Sequence, residues 1–240
     1  MWRIAEVLLR WGWALAAAVP VVAHAGAQAY EPLSASVQSA LHKSVSDQAT
    51  PFLAFNTQGE ARRWLATMSR RLASRMPDRR QREEFLVTVH YEARRAGLDP
   101  QLVLGLIQVE SNFRKYAVSR AGARGFMQVM PFWAKLIGSR DHNLFHLRTN
   151  LRYGCVILRH YLDMDKGDLY RALGRYNGSL GKPEYPNLVV RAWERDWHYA
   201  TRVADTARDR ARPRLLNYRF AASSFASPPP AACASDVCVR

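Results

Sequence analysis

Glu110 is the side chain whose setting invites chemistry. It lies near the end of an apolar helical pattern running from Pro100 to Asn112. Leu102, Leu106, Val109 and Phe113 mark one face, and Val103, Ile107 and Glu110 mark the adjoining strip. A carboxylate at the border of a buried face, in the last helical turn, is disfavoured as an anion twice over. Apolar neighbours strip its water, and the negative end of the helix dipole opposes it. Both effects raise its pKa, which makes it a proton donor near neutral pH. A structural glutamate would sit better on a solvated face or near a helix N-terminus. Glycosidic cleavage uses such an acid, commonly with a second carboxylate. Glu92 and Asp99 are nearby in sequence, but Asp99 is better explained as a helix cap and Glu92 has no comparable setting. A single carboxylate suits a substrate that supplies its own nucleophile.

Other reactive residue types give weaker signals. Asp141, His142 and His146 suggest a metal, but no third convincing ligand accompanies the histidines, and a surface loop is the better reading. His90-Tyr91-Glu92 lacks the second histidine of a metalloprotease helix. No metal or cofactor is implied. Cys155 shares an apolar helical face with Leu151, Leu158 and Leu162 and reads as a core thiol. Cys233 and Cys238 lie in the tail, where an oxidising compartment would permit a small disulfide loop.

The elements that must position Glu110 are helical throughout. A basic helix spans 60–76, with Trp64, Leu65, Met68 and Leu72 on one face, and Met76-Pro77-Asp78 stops it. Phe85, Leu86, Val89 and Ala93 form the next stripe, ending at Gly97. Asp99-Pro100 is an N-cap followed by proline at the first helical position. Gly122 and Gly125 allow a tight path before a turn or short helix at Phe126 to Met130. Thr149-Asn150 caps a helix over 151–163. Gly167-Asp168 begins another that ends at Tyr176-Asn177-Gly178. Gly181 to Pro186 reads as a loop, and 187–210 is helical again, with Val189, Val190, Trp193 and Trp197 apolar. No strand pattern and no repeat are visible.

The chain has 240 residues, enough for one domain with extensions. Residues 1–29 read as a signal peptide: Arg3 and Arg10, an apolar stretch from Trp11 to Ala23, then A-x-A sites ending at Ala25, Ala27 and Ala29. An uncleaved anchor is the alternative. Residues 30–77 form an N-terminal arm, Ser-, Gln- and Ala-rich and irregular before its basic helix. The dense domain spans 78–205, and 206–240 is a basic, then Ala/Ser/Pro-rich disordered tail. The fold class is mainly α. Lys and Arg outnumber Asp and Glu by 35 to 20, a net charge of +15. That balance favours anionic surroundings; nucleic acid is one such partner, and export argues against it.

Several motifs occur in order: Glu110-Ser111-x-Phe113, Ala117-x-Ser119, Gly122-Ala123-x-Gly125-Phe126-Met127-Gln128-Val129-Met130-Pro131, Asn150-Leu151-x-x-Gly154, and Arg175-Tyr176-Asn177-Gly178-Ser179. Over about residues 80–205 the chain resembles the soluble lytic transglycosylases of bacterial peptidoglycan, in the lysozyme-like superfamily and similar to goose-type lysozyme. Phe126 stands where leucine is usual, Lys115 where proline is common and Arg175 where alanine is frequent. The resemblance implies a lysozyme-like α domain, which the flexible arm and tail would flank, and the signal peptide implies export to the periplasm. The resemblance also implies non-hydrolytic cleavage between N-acetylmuramic acid and N-acetylglucosamine, with 1,6-anhydromuramoyl products. Glu110 would be the single acid/base. Ser111, Met127, Gln128, Tyr176 and Asn177 would meet substrate, with the Tyr176 hydroxyl on the Glu110 carboxyl. Partners would be glycan strands, with an envelope-spanning machine left open, no nucleic acid and no stable membrane insertion after leader cleavage. A hydrolytic muramidase and a non-catalytic glycan-binding scaffold remain the alternatives.

Overall fold

A computed structural model describes residues 28–46 and 49–200. The leader, the tail with Cys233 and Cys238, and the expected helix beyond residue 200 lie outside the described residues. The chain is mainly α, as expected, with eight α-helices and only isolated β-bridges among those residues. They are α1 (Ala35–Ser46), α2 (Gln58–Leu72), α3 (Arg79–Arg95), α4 (Pro100–Ser111), α5 (Pro131–Ile137), α6 (Leu147–Met164), α7 (Leu169–Asn177) and α8 (Glu184–Ala192), followed by a π-helical turn, Trp193–Trp197. No helix among the described residues is long and apolar enough to cross a membrane.

Side-chain caps fix four of the helix starts. Thr57, Asp78, Asp99 and Asp168 each accept a hydrogen bond from a backbone amide of the first turn of α2, α3, α4 and α7. Such caps satisfy donors that the helix itself cannot pair. Gly178 closes α7 in the left-handed conformation.

Helix α4 is the buried axis, packed by α3, α8 and the π turn. Its Gly105 lets the π turn approach closely: a Cβ there would lie 2.8 Å from the Trp193 amide nitrogen. Trp64, Met68 and Leu72 of α2 join the same core. Gln108 fastens the last part of α4 to the π turn, accepting from Trp197 Nε1 at 2.8 Å and donating to Asp196 Oδ2 at 2.7 Å.

Three expectations need correction. Residues 35–46 are helical, not irregular. Val37, Leu41 and Val45 form a one-face stripe at helical spacing, diluted by the surrounding Ser and Gln, and α1 lies on α5 and α6. Helix α8 begins at Glu184, so Tyr185 and Pro186 are helical. A proline in a first turn costs no intrahelical bond. Helix α6 starts at Leu147 with His146 in the cap position, so Asn150 is already inside the helix.

Candidate active site

Glu110 and Ser111 occupy the last turn of α4, after which the chain reverses sharply. Asn112 and Phe113 both adopt left-handed backbone, with φ of 49° and 62°. Side-chain contacts hold this disfavoured path. Arg75 Nε donates to Asn112 Oδ1 at 2.9 Å, and the Phe113 ring packs between Phe85 and Trp197.

Glu110 is 4% exposed. Its Oε1 accepts a 2.5 Å hydrogen bond from the Tyr185 hydroxyl, and its Oε2 has no hydrogen-bond partner among the described residues. Burial pushes its pKa up to about 8, against the smaller opposing effect of the Tyr185 bond. No second carboxylate contributes to the shift. The group is therefore a neutral acid at pH 7 with one oxygen uncommitted. Burial, and then the Glu110 charge, push the Tyr185 hydroxyl well above its ordinary range, so it stays a donor.

This partner corrects the assignment made to Tyr176. The Tyr176 hydroxyl donates instead to the Met127 carbonyl at 2.8 Å. Tyr176 is near enough to Glu110 for that charge to raise its pKa, second to burial. Tyr185 was hidden in a Gly/Pro-rich stretch that reads as a loop; the signal for it is that Pro186 fits a helical first turn.

Ser111, Gln128 and Met127 hold the chain between Ala117 and Gln128 in place. Ser111 Oγ donates to the Phe126 carbonyl at 2.7 Å and also reaches the Ile107 carbonyl at 3.3 Å, the helical back-bond. Gln128, left-handed at φ 49°, donates through Nε2 to the carbonyls of Gly125 and Ala117 at 2.9 and 3.1 Å. Met127 is fully buried on Gly154, where a Cβ would lie 2.4 Å from its sulfur. Asn177 is buried at the end of α7.

Asn150 is a hub that sequence reading took for a cap. Its Oδ1 accepts from the Met127 amide at 2.8 Å, and its Nδ2 donates to the carbonyls of Arg124 and Leu144, both at 2.8 Å. Gly125, at φ 77°, must lack a side chain because a Cβ would lie 2.4 Å from Asn150 Nδ2.

Asp99, Glu92 and His142 have partners of their own. Asp99 accepts from the Gln101 amide at 2.8 Å and from Trp193 Nε1 at 3.1 Å. Glu92 is ringed by Arg95, Arg148 and Arg152. His142 Nδ1 pairs with the Tyr153 hydroxyl at 2.7 Å, and His146 begins α6. No cluster of three or more His, Cys, Asp or Glu suited to a metal occurs among the described residues. Cys155 is buried, with its thiol pKa pushed up by burial.

Residues 88–186 match the family model described as the transglycosylase SLT domain. The chain is 36% identical over 101 residues to the transglycosylase of Enterobacteria phage PRD1, covering 39% of this chain and 37% of that protein. It is 31% identical over 137 residues to membrane-bound lytic murein transglycosylase C of Mannheimia succiniciproducens, covering 50% of this chain and 36% of that one. It thus spans little more than a third of the length of these relatives. Among solved structures, an inactive mutant of lytic transglycosylase Slt from Pseudomonas aeruginosa matches with a TM-score of 0.35 and 25% identity. That match covers 47% of this chain and 18% of the other.

Proposed function

We propose that residues 88–186, which match the transglycosylase SLT domain model, are a lysozyme-like transglycosylase domain, and from that premise that the chain is a peptidoglycan lytic transglycosylase. Glu110 protonates the oxygen joining C1 of N-acetylmuramic acid to N-acetylglucosamine, and that bond breaks. The 2-acetamido oxygen shields the cationic centre. The Glu110 carboxylate then takes the proton of the muramoyl C6 hydroxyl as that oxygen attacks C1. The glutamate ends as it began, water is not consumed, and the product is a 1,6-anhydromuramoyl end.

The observation that carries this reading is the isolation of Glu110. It is a buried acid raised to about 8, and no second carboxylate contributes to its environment. An intramolecular C6 hydroxyl makes a protein nucleophile unnecessary. Tyr185 stabilises the anionic form between the two proton transfers. Ser111, Met127, Gln128, Tyr176 and Asn177 serve the glycan by shaping the main chain that it meets. The leader-like residues 1–29 support export to the periplasm, where glycan strands are the partner.

A hydrolytic muramidase could use the same acid with water. Digestion of purified sacculi followed by mass analysis of the muropeptides separates the two. Anhydromuramoyl ends, lighter by one water and without reducing muramic acid, are expected. Reducing ends would overturn the proposal.

A further inference from the structure

We propose that residues 28–33 form a tethered strap over the glycan-side main chain at Gln128–Met130, which the glycan must displace to bind. The inference rests on the transglycosylase reading of the site. Gln28 is 4% exposed although it begins the described chain. Its Nε2 donates to the Gln128 carbonyl at 3.3 Å, and its Oε1 accepts from the Met130 amide at 3.2 Å. Between those two groups, Val129 pairs its own amide and carbonyl with Arg124, at 3.0 Å each. Arg124 thus takes both groups of Val129, and Gln28 takes the carbonyl of Gln128 and the amide of Met130.

The chemistry of this contact resembles that of the proposed substrate. A glutamine carboxamide carries an acceptor oxygen and an N–H donor. So does the N-acetyl group on each sugar of peptidoglycan. A backbone carbonyl and amide flanking one residue will pair with either. Gln28 thereby occupies groups that an acetamido substituent would use.

The rest of the strap is held lightly. Tyr30 sits edge-on to Phe132, with ring centroids 5.7 Å apart. Glu31 Oε1 lies 3.3 Å from Arg175 Nη1, in a pair that is partly solvated. Arg175 is also held by Asp165 at 2.8 Å, so it keeps its place when Glu31 leaves. Neutral hydrogen bonds and part-exposed ion pairs are individually weak. Helix α1 anchors the far end: Gln38 Nε2 donates to the Leu136 carbonyl at 2.6 Å, and His42 Nδ1 lies 3.1 Å from the Ile137 carbonyl. The strap can leave the Gln128–Met130 main chain while remaining tethered beside it, at high effective concentration. Leader processing bears on this too. Cleavage after Ala25 or Ala27 retains Gln28, whereas cleavage after Ala29 removes it.

The test uses the full chain carrying Glu110→Gln, so that ligand is not consumed. Binding of a β-1,4-linked N-acetylglucosamine tetramer is measured by calorimetry with and without Gln28→Ala, and with Gln28→Ala plus Glu31→Gln. Removing a closed competitor should tighten binding by roughly threefold for the single variant and tenfold for the double. Faster hydrogen exchange at the Met130 amide in the ligand-free double variant should accompany this. Equal affinity in all three forms overturns the strap and leaves the site reading standing. No binding in any form overturns the site reading, and the strap with it.

Discussion

Glu92 and Glu110 are the two most deeply buried glutamates among the described residues, and their surroundings are opposites. Glu92 on α3 is 1% exposed. Arg152 reaches Oε1 at 3.0 Å and Oε2 at 3.3 Å, Arg148 reaches Oε1 at 3.3 Å, and Arg95 reaches Oε2 at 3.4 Å. The same arginines continue outward to the carbonyls of Ser44, Val45 and Ala49, joining α3 and α6 to the end of α1. Glu110, nearly as buried, has one tyrosine hydroxyl and no guanidinium. A buried carboxylate with matched charge is a structural joint. One left without a counter-charge holds its proton, and holding a proton is what general-acid work requires.

Replacing each glutamate by glutamine, a near-isosteric change, should separate the two roles most sharply. Glu110→Gln is expected to lower the rate of anhydromuropeptide release by at least about a thousandfold, leaving the fold intact. Its stability effect has a definite sign. Because the folded pKa is about 8 and lies above the ordinary carboxylate value, the folded state holds more protons than the unfolded state between those two limits. Wild-type stability therefore falls as pH rises through that window. The glutamine variant should equal or exceed wild type by roughly 2–4 kcal/mol at pH 8 and approach it near pH 4.5. Denaturant melts at the two pH values check this, and a Glu110→Gln variant less stable at pH 8 would break the comparison. Glu92→Gln should do the reverse. It strands three partly buried guanidinium groups and should cost about 3–5 kcal/mol, with activity lost only in proportion to unfolding. Tyr185→Phe sharpens the picture with a smaller effect. Without the hydroxyl the Glu110 anion is less stable, so kcat should fall by roughly 10- to 100-fold. The alkaline limb of the pH profile, expected near 8 in the wild type from the raised Glu110 pKa, should move upward, and an unmoved limb would remove Tyr185 from the site.

Local signals made α4 legible. Asp99-Pro100 announces its start, an apolar stripe gives its buried face, and Glu110 interrupts that face with a carboxylate. The motif order pointed to the loop at 122–131. Less visible was which side chain would meet the acid. Tyr176 lay in a recognised motif, whereas Tyr185 lay beside Pro186 in a stretch whose composition suggests a turn. Only the packing of α8 on α4 separates them. Asn150 was misplaced for a related reason. Its three side-chain hydrogen bonds, two of them long-range, leave no periodic trace, while asparagine near a helix start reads as a cap. The arm failed because Val37, Leu41 and Val45 are too few to stand out, and their helix gains its stability from docking rather than from propensity.

The clamp at Gln108 bears on how small a working version of this protein can be. The stretch matched by the family model stops at 186. The last part of α4 is nevertheless fastened to Asp196 and Trp197, and Trp197 also supports Phe113 in the reversal that follows Glu110. A chain ended at 186 would keep every signature residue, Tyr185 included, yet lose most of α8 and the π turn. The stretch that the family model matches is shorter than the unit that mechanics requires. A portable version of the site has to run through Trp197.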